Sequence, residues 1–413
     1  MSREVSCPIQ PERLLDDLEA LSHFGRLPEG GLDRPAYSPA YREAIDWLAG
    51  RFETAGLAVR MDPAGNLIGR LGPAEGPAVL SGSHVDAVPS GGFYDGALGV
   101  LAALECARTL AERGGVPRPL EIVAFADEEG AFLGLTGSRA MVGQVEQEEV
   151  ASAVGRDGQP FTEALARFGL EPTAFLKAAR PPQDFAGYLE LHIEQGPVLE
   201  SRGLEVGVVE SIVGIANAEL IFRGEQAHAG TTPLALRRDA LRAAAETLAE
   251  STTLVERDFP PDMRLTYGAL AVAPGAANVV PAEARLGQEI RGPDLKGMEA
   301  LFGRAEAIAR ARADANRVAL EIVRGATEHP AVMAPALTAR IEAACQALGC
   351  GHTRMPSGAG HDAQILAQVT PAAMIFVPSR AGLSHNPAEA TDPRHIALGA
   401  RVLYLTLAGM LGA

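Results

Sequence analysis

The stretch Ser81-Gly-Ser-His-Val-Asp-Ala-Val-Pro-Ser-Gly-Gly-Phe-Tyr-Asp-Gly-Ala-Leu-Gly99 lies between a short apolar run and a helical pattern. The run at 78–80 predicts a strand buried on both faces, and the periodicity from Gly96 onward predicts a helix. His84 and Asp95 therefore fall in a glycine-rich loop that follows a strand. Because ligands of open α/β sheets bind at the carboxyl ends of strands, this loop is predicted to form half of a metal site.

The composition is that of an ordinary globular protein with room for a large core. The chain has 413 residues, of which 47% are hydrophobic and 21% charged, so two domains are expected. Its net charge of −16 argues against nucleic acid and against an anionic membrane as partner. The start of the chain is charged and has no apolar segment of signal-peptide length, and four cysteines form no disulfide framework, which together predict a cytoplasmic protein.

Strand and helix patterns alternate along the first part of the chain. Residues 39–57 predict an amphipathic helix, 58–71 a pair of strands around a turn, and 120–126 a buried strand before the acidic turn 127–130. This alternation predicts an α/β fold, in which a mostly parallel, mixed sheet is flanked by helices.

The chain changes character near residue 214. From 218 to about 323 the order is strand, helix, strand, strand, helix, strand, with the helices predicted at 233–248 and 296–313. That βαββαβ order is the ferredoxin-like pattern and predicts a compact inserted unit. The expected domains are 1–213 and 329–413, which together form the first domain, and 214–328, which is the insert.

Polar residues with ligand chemistry recur where predicted strands end. They are His84, Asp86, Asp95, Glu128, Glu129, His192 and His385. A mixture of carboxylates and imidazoles suits zinc or a neighbouring divalent ion, and the number of donors is sufficient for two ions with a bridging carboxylate. Taken singly, each residue also has an ordinary explanation as a satisfied polar group or a solvated turn.

Seven motifs together resemble a known family, the amidase branch of the dinuclear-metal aminoacylase and carboxypeptidase superfamily. This branch includes N-carbamoyl-L-amino-acid hydrolases, allantoate amidohydrolases and β-ureidopropionases, and the resemblance covers nearly the whole chain. The motifs are GSHVDAVPSGGFYDGALGV, FADEEGAFLG, ELHIEQGPVLE, GEQAHAGTTPLALRRDAL, EIRGPD, PSGAGHDA and VPSRAGLSHNPAEAT.

The resemblance implies two divalent metal ions, zinc first, with manganese, cobalt or nickel as alternatives. It assigns His84 and His192 to one ion, and Glu129 and His385 to the other. Asp95 would bridge the two ions, and the glycine-rich spacer 90–92 would let the backbone fold back to them.

Two further acidic residues receive roles from the same resemblance. Asp86 would orient a ligand imidazole, and Glu128 would act as the general base.

The resemblance also assigns substrate contacts. His228 would donate a hydrogen bond to the developing oxyanion, often across a dimer interface, while Asn278 and Arg291 would hold the substrate carboxylate. Gln195 and His361 would line the amide pocket. A homodimer formed through the insert is implied, and we expect the insert to close over the first domain by hinges near 213–214 and 326–330.

The function implied is hydrolysis of the C–N bond of a ureido group on a small carboxylic acid. The first expectation is an N-carbamoyl-L-amino acid, which would give amino acid, ammonia and carbon dioxide. Allantoate and β-ureidopropionate are alternatives, followed by an aminoacylase or dipeptidase reaction and by a binding protein without catalysis. One departure stands out, since Ala131-Phe132-Leu133 follows the Glu-Glu-Gly turn where family members commonly carry an Arg and an aromatic residue.

Overall fold

The structure, a computed structural model, describes residues 7–413, apart from the side chain of Ala326. Residues 1–6, on which part of the prediction about the chain start depends, lie outside the described residues. The chain divides into two compact units. The first runs to Glu210 and resumes from Val332 to Ala413, and the second is Ser211–Ala331. Among residues 7–413, the helices include none that is long and apolar enough to cross a membrane.

The strands are numbered in chain order. They are β1 (Leu32–Arg34), β2 (Ala58–Met61), β3 (Leu67–Leu71), β4 (Ala78–His84), β5 (Ala87–Gly91), β6 (Leu120–Phe125), β7 (Phe185–Ile193), β8 (Val206–Ile212), β9 (Gly214–Arg223), β10 (Ala227–His228), β11 (Arg264–Ala273), β12 (Val279–Val280), β13 (Glu283–Gly292), β14 (Ala319–Glu328), β15 (Ala331–Val332), β16 (His352–Ser357) and β17 (Ala372–Val377).

The α-helices are numbered in the same way. They are α1 (Pro11–Leu21), α2 (Pro39–Thr54), α3 (Ala97–Glu112), α4 (Thr136–Met141), α5 (Gln147–Ser152), α6 (Phe161–Arg167), α7 (Val198–Arg202), α8 (Ala240–Asp258), α9 (Leu295–Asn316), α10 (Pro335–Leu348), α11 (Asp362–Leu366) and α12 (Pro393–Leu411). Short 3-10 turns occupy Pro172–Ala178, Pro182–Asp184, Leu234–Leu236 and Arg380–Gly382.

The first unit is built on a mixed sheet whose centre is parallel. Strands β17, β7, β4 and β6 are adjacent and run parallel to one another, while β3 and β8 join the flanks of this core antiparallel. β4, β6 and β17 are buried along their whole length, as expected for strands covered on both faces. The carboxyl ends of four parallel strands therefore lie at one edge of the sheet, which is where the candidate site forms.

Helix α3 packs against this core and fixes the start of the site. Its residues from Ala97 to Leu110 are all buried, so the helix has no solvent-facing stripe over that range. Gly96 caps the helix at φ +63°, and a Cβ there would lie 2.5 Å from the ring of His84. Glycine is therefore required at this position by the backbone and by the close approach of the imidazole.

The second unit has the ferredoxin-like arrangement. Its four-stranded antiparallel sheet has the order β11-β13-β9-β14 among the described residues, and α8 and α9 pack on it around a core of their own. The short strands β10 and β12 pair separately.

The predicted α/β fold is confirmed, but one predicted helix was wrong. The helix expected at 233–248 is α8, Ala240–Asp258, and a 3-10 turn stands at Leu234–Leu236 instead. The side chain of Asp239 accepts a hydrogen bond from the Arg242 N–H and so begins the helix seven residues later than predicted. The loop expected after β4 was also wrong in part, because some of it is strand β5, paired with β1.

Candidate active site

Two buried histidines at strand ends face one oxygen of Asp95. His84 ends β4 and His192 is the penultimate residue of β7. Their Nε2 atoms lie 3.6 and 3.1 Å from Asp95 Oδ1, respectively. All three side chains are buried, so the group is shielded from bulk water.

The other oxygen of Asp95 faces a different pair of donors. His385 Nε2 lies 3.2 Å from Asp95 Oδ2 and 3.3 Å from Glu129 Oε1. Glu129 follows β6 in the acidic turn, whereas His385 lies in the loop after β17 and has a side chain that is 50% exposed. Asp95 is thus shared between two donor sets, one oxygen to each.

The two donor sets fit divalent ions. Donor atoms placed about 2.0–2.1 Å from a tetrahedral ion are about 3.3 Å from one another. The contacts with Asp95 and Glu129 span 3.1–3.6 Å, and within each set all donor atoms lie within 4.8 Å. Imidazole and carboxylate donors are those that zinc, manganese, cobalt and nickel accept.

The three neighbouring imidazoles lower the pKa of Asp95. Burial opposes its ionisation, but hydrogen bonds from His192, His385 and His84 outweigh burial and hold its pKa well below the usual range. The carboxylate is therefore ionised, as a metal-bridging group must be.

The carboxylate of Asp86 hydrogen-bonds to the acidic turn 127–130 and lies farther from the imidazole of His84. Its carboxylate accepts hydrogen bonds from the backbone N–H of Glu129 at 3.1 Å and of Glu128 at 3.4 Å. The acceptor nearest to His84 Nδ1 is the backbone carbonyl of Asp86, at 3.1 Å, and the carboxylate lies 3.6 Å away. Asp86 thus orients the ring mainly through its backbone, and its side chain fixes the Glu128–Glu129 turn.

Glu128 points into the first donor set. Its Oε2 lies 3.6 Å from His84 Nε2, and only 11% of its side chain is exposed. Burial raises the pKa of Glu128 well above its usual range; His84 opposes this rise, while Glu129 adds to it. A carboxyl group with a raised pKa is a stronger base once ionised, which suits proton transfer.

Gln195 lies beside Asp95 in a strained turn. Its φ is +57°, and its Nε2 donates to Asp95 Oδ2 at 2.9 Å. Its Oε1 is buried and has no partner among the described residues. An unpaired buried acceptor at this point is able to receive an N–H group from a ligand.

His361 lies behind the site. Its Nε2 is 2.9 Å from Ser357 Oγ, and its ring packs edge-on against His192 at 4.6 Å. Burial, followed by the charge of His192, holds the pKa of His361 well below its usual value, so the ring is neutral. It therefore packs as an uncharged ring against His192, one of the predicted ligands.

His228 and Asn278 meet in the second unit. β10 and β12 pair so that His228 lies opposite Val279, the residue after Asn278. The backbone N–H groups of Gly230 and Thr231 donate to His228 Nδ1 at 3.0 and 3.2 Å. Because Nδ1 accepts these two N–H groups, the ring N–H is on Nε2, which is left to donate a hydrogen bond.

Arg291 stands on β13 in the same unit. Its Nε and Nη2 donate to the two carboxylate oxygens of Glu289 at 2.8 and 3.3 Å. One edge of the planar guanidinium is thus already paired with a carboxylate two residues away. Sequence reasoning did not single out this neighbour.

The residue that departs from the family pattern, Phe132, belongs to an aromatic cluster. Its ring stacks on Phe161 at 4.8 Å and meets Tyr37 at 5.9 Å. In addition to Asp86, Arg156 contacts the turn, since its Nη2 donates to the carbonyl of Glu129 at 2.7 Å.

A cavity of about 340 Å³ opens in the first unit beside Glu129 and Phe132. Its apolar lining includes Pro35, Val88, Pro89 and Ala131. The charged residues around it are Asp33, Asp86, Glu129, Arg156 and Asp157. With four carboxylates against one guanidinium, the cavity favours a neutral or apolar group over an anion.

Sequence reasoning passed over Glu389, although it lies four residues after a predicted ligand. Its buried carboxylate accepts hydrogen bonds from the backbone N–H groups of Tyr94 and Asp95. The role of the glycine-rich spacer 90–92 also differs from the prediction. Ser90, not a glycine, takes the left-handed conformation at φ +56°, while Gly92 makes room for Glu389.

Comparison with known proteins finds relatives along nearly the whole chain. The model of peptidase family M20/M25/M40 matches residues 80–409. An N-carbamoyl-L-amino-acid amidohydrolase from Paenarthrobacter aurescens is 40% identical over 95% of this chain and 96% of its own length. An allantoate amidohydrolase from Escherichia coli strain K12 is 38% identical over 95% and 96%. The crystal structure of a hydantoinase/carbamoylase family amidase from Burkholderia phymatum superposes with TM-score 0.87 at 37% identity, covering 100% of this chain and 99% of that one.

Proposed function

The chain belongs to peptidase family M20/M25/M40, as the motifs predicted, and on this premise we propose that it is a metal-dependent amidohydrolase acting on N-carbamoyl-L-amino acids. The reaction gives the free L-amino acid, ammonia and carbon dioxide. The observation that carries the proposal is Asp95, whose one oxygen faces His84 and His192 while the other faces His385, which also contacts Glu129. The full-length similarity to an N-carbamoyl-L-amino-acid amidohydrolase supports the choice of substrate.

His84 and His192 would hold one ion, and Glu129 and His385 the other, with Asp95 between them. Two divalent ions, when bound, supply a Lewis acid for the carbamoyl oxygen and lower the pKa of the attacking water towards about 7. Zinc fits the donor set, and so do manganese, cobalt and nickel.

Glu128 moves the proton. Its carboxylate accepts a proton from the water that attacks the carbamoyl carbon and delivers it to the α-nitrogen of the amino acid. The bond between that nitrogen and the carbamoyl carbon breaks, and the resulting carbamate decomposes to ammonia and carbon dioxide. The position of Glu128 beside His84 supports this role.

The second unit binds and orients the substrate. His228 donates from Nε2 to the oxyanion, and its tautomer, set by two backbone N–H groups, supports that assignment. Asn278 and Arg291 bind the α-carboxylate, which competes with Glu289 for the guanidinium. A homodimer through this unit would bring His228 of one subunit to the site of the other.

The cavity beside Phe132 supports a preference among substrates. Its apolar wall and surplus of carboxylates suit an uncharged side chain of the amino acid better than a second carboxylate. We therefore place N-carbamoyl amino acids with apolar or aromatic side chains first. Allantoate remains the second candidate, because the Escherichia coli allantoate amidohydrolase is nearly as similar as the carbamoylase relative.

A cytoplasmic location is proposed as well, supported by four free thiols, which persist in reducing compartments.

Product release from a panel of substrates tests the proposed function, measured as ammonia for the ureido substrates and as free amino acid for the N-acetyl amino acid. The panel is N-carbamoyl-L-phenylalanine, N-carbamoylglycine, allantoate, β-ureidopropionate and an N-acetyl amino acid, each with enzyme reconstituted with zinc or manganese. The proposal expects the highest kcat/KM for N-carbamoyl-L-phenylalanine and loss of activity on chelation. Preference for allantoate would select the second candidate, and cleavage of the N-acetyl amino acid alone would indicate an aminoacylase.

A further inference from the structure

Glu389 is a buried carboxylate that belongs to neither donor set. It is 4% exposed and lies four residues after His385, in the loop between β17 and α12. Its Oε1 accepts hydrogen bonds from the backbone N–H groups of Tyr94 at 2.9 Å and Asp95 at 3.2 Å. The side chain therefore reaches from the loop of one predicted ligand to the backbone of another.

Ser384 completes the connection. Its hydroxyl lies 2.9 Å from Glu389 Oε2 and 2.9 Å from Asp95 Oδ2, and its single proton can bond only one of them at a time. Since Ser384 directly precedes His385, Glu389 and Ser384 link the loop that carries His385 to both the backbone and the side chain of Asp95.

The opposing loop is shaped to receive this carboxylate. A Cβ at Gly92 would lie 2.1 Å from Glu389 Oε1 and 2.5 Å from Glu389 Cβ. Gly92 does not adopt a left-handed conformation, so its lack of a side chain is explained by the close approach of Glu389 rather than by backbone geometry.

The two donor sets depend on this link to different extents. His84 and His192 lie in strands of the central sheet, whose backbone hydrogen bonds hold them in place. His385 lies outside the strands and helices, at φ +53°, with half of its side chain exposed. Its position relative to Asp95 relies on contacts made by its own loop.

We propose that Glu389 is a positioning residue that ties the Asp95 loop to the His385 loop and thereby holds the donor set Asp95, Glu129 and His385 ready for the second ion. This inference rests on the proposed dinuclear function. Loss of the link is expected to weaken binding at this set more than at the first, because both histidines of the first set are held by strands while His385 is not. Partners that support ligands indirectly are typically worth about 10- to 100-fold in metal affinity.

Metal binding to the full-length chain tests the proposal without any substrate. Chelated protein is titrated with zinc, and stoichiometry and affinity are measured by calorimetry and elemental analysis for the wild type, Glu389→Ala and Glu389→Gln. We expect two ions on the wild type and a second-ion affinity about 10- to 100-fold lower in Glu389→Ala. Glu389→Gln retains the carbonyl oxygen that accepts the two N–H bonds and should preserve both ions. Gly92→Ala, which displaces Glu389, should behave like Glu389→Ala.

Asp62→Ala is the matched control. Asp62 is another buried carboxylate that accepts backbone N–H bonds, from Ala64 and Asn66, and its loss should leave both affinities unchanged. Two ions bound by Glu389→Ala with wild-type affinities would overturn the proposal, as would an equal loss from both sets. If Glu389→Ala does not fold, Ser384→Ala decides by the same criterion. A wild type that binds no second ion would instead refute the dinuclear function itself.

Discussion

At the scale of single residues, the site depends on side chains that are far apart in sequence but share one carboxylate. Asp95 lies within 3.6 Å of His84, His192 and His385. The motifs predicted these residues, but not the division of the two Asp95 oxygens between donor sets, since spacing along a chain contains no information about which oxygen a neighbour faces. Glu389 was missed for a related reason, because two of its partners are the backbone N–H groups of Tyr94 and Asp95, which residue type does not reveal.

Glu128→Gln removes the proposed base and leaves the metal donors in place. We expect kcat to fall by about 10²- to 10⁴-fold, since an amide cannot accept the proton from water. Metal content should remain that of the wild type, because Glu128 belongs to neither donor set that shares Asp95. Steady-state ammonia release with elemental analysis checks both parts, and full activity in this variant would exclude Glu128 as the base.

His228→Ala tests the oxyanion donor in the second unit. Loss of one such donor costs about 10²- to 10³-fold in kcat, and folding should be unaffected because His228 is exposed. His228→Gln, which keeps an N–H donor, should recover part of the rate. His23→Ala, at another exposed histidine, serves as the control and should retain wild-type kcat. A change in KM alone, with kcat unchanged, would contradict the assigned role.

At the scale of elements, apolar patterns predicted strands and helices well where packing alone decides them. The helix expected at 39–57 is α2, Pro39–Thr54, and the strand expected at 372–377 is β17. The predicted start of α8 was wrong, because the stretch before Asp239 is helix-compatible in composition and only the cap bond to Arg242 fixes the start. The sequence pattern predicts a loop where the structure has β5. This strand was missed because it forms by pairing with β1, a segment more than fifty residues away that local patterns do not reveal.

Leu220→Ala tests whether the second unit is stabilised by its own core. Leu220 is fully buried on β9, one of the two inner strands of the sheet, so truncation should lower the free energy of unfolding by about 2–5 kcal/mol. The variant should still bind two ions, because the donor sets belong to the other unit. Denaturant unfolding with Leu270→Ala, 47% exposed, as control checks this. A parallel loss of metal affinity would show that the two cores are not independent.

At the scale of the whole molecule, the proposed metal donors belong to one unit and the proposed carboxylate anchors to the other. The proposed function has both units contact one substrate, and we expect hinges near 213–214 and 326–330 to allow this closure. The βαββαβ order in the sequence was enough to predict the insert. Closure cannot be predicted in the same way, because it depends on the relative free energies of the open and closed conformations.

Solution scattering with and without a non-hydrolysable substrate analogue tests this closure. The radius of gyration should decrease on binding, because the proposed carboxylate anchor Arg291 and the proposed metal donors belong to different units and both contact the substrate. An Arg291→Ala variant should bind the analogue more weakly and show a smaller decrease at the same ligand concentration. Identical scattering in the free and saturated enzyme would exclude closure as part of the mechanism.

The most direct measurement is a metal titration of the chelated enzyme followed by product analysis. N-carbamoyl-L-phenylalanine is supplied at saturation, and free phenylalanine and ammonia are quantified as zinc or manganese is added. The dinuclear hydrolase account predicts equal amounts of the two products and activity that reaches its plateau at two ions per chain. A plateau at one ion, or phenylalanine formed without ammonia, would contradict it.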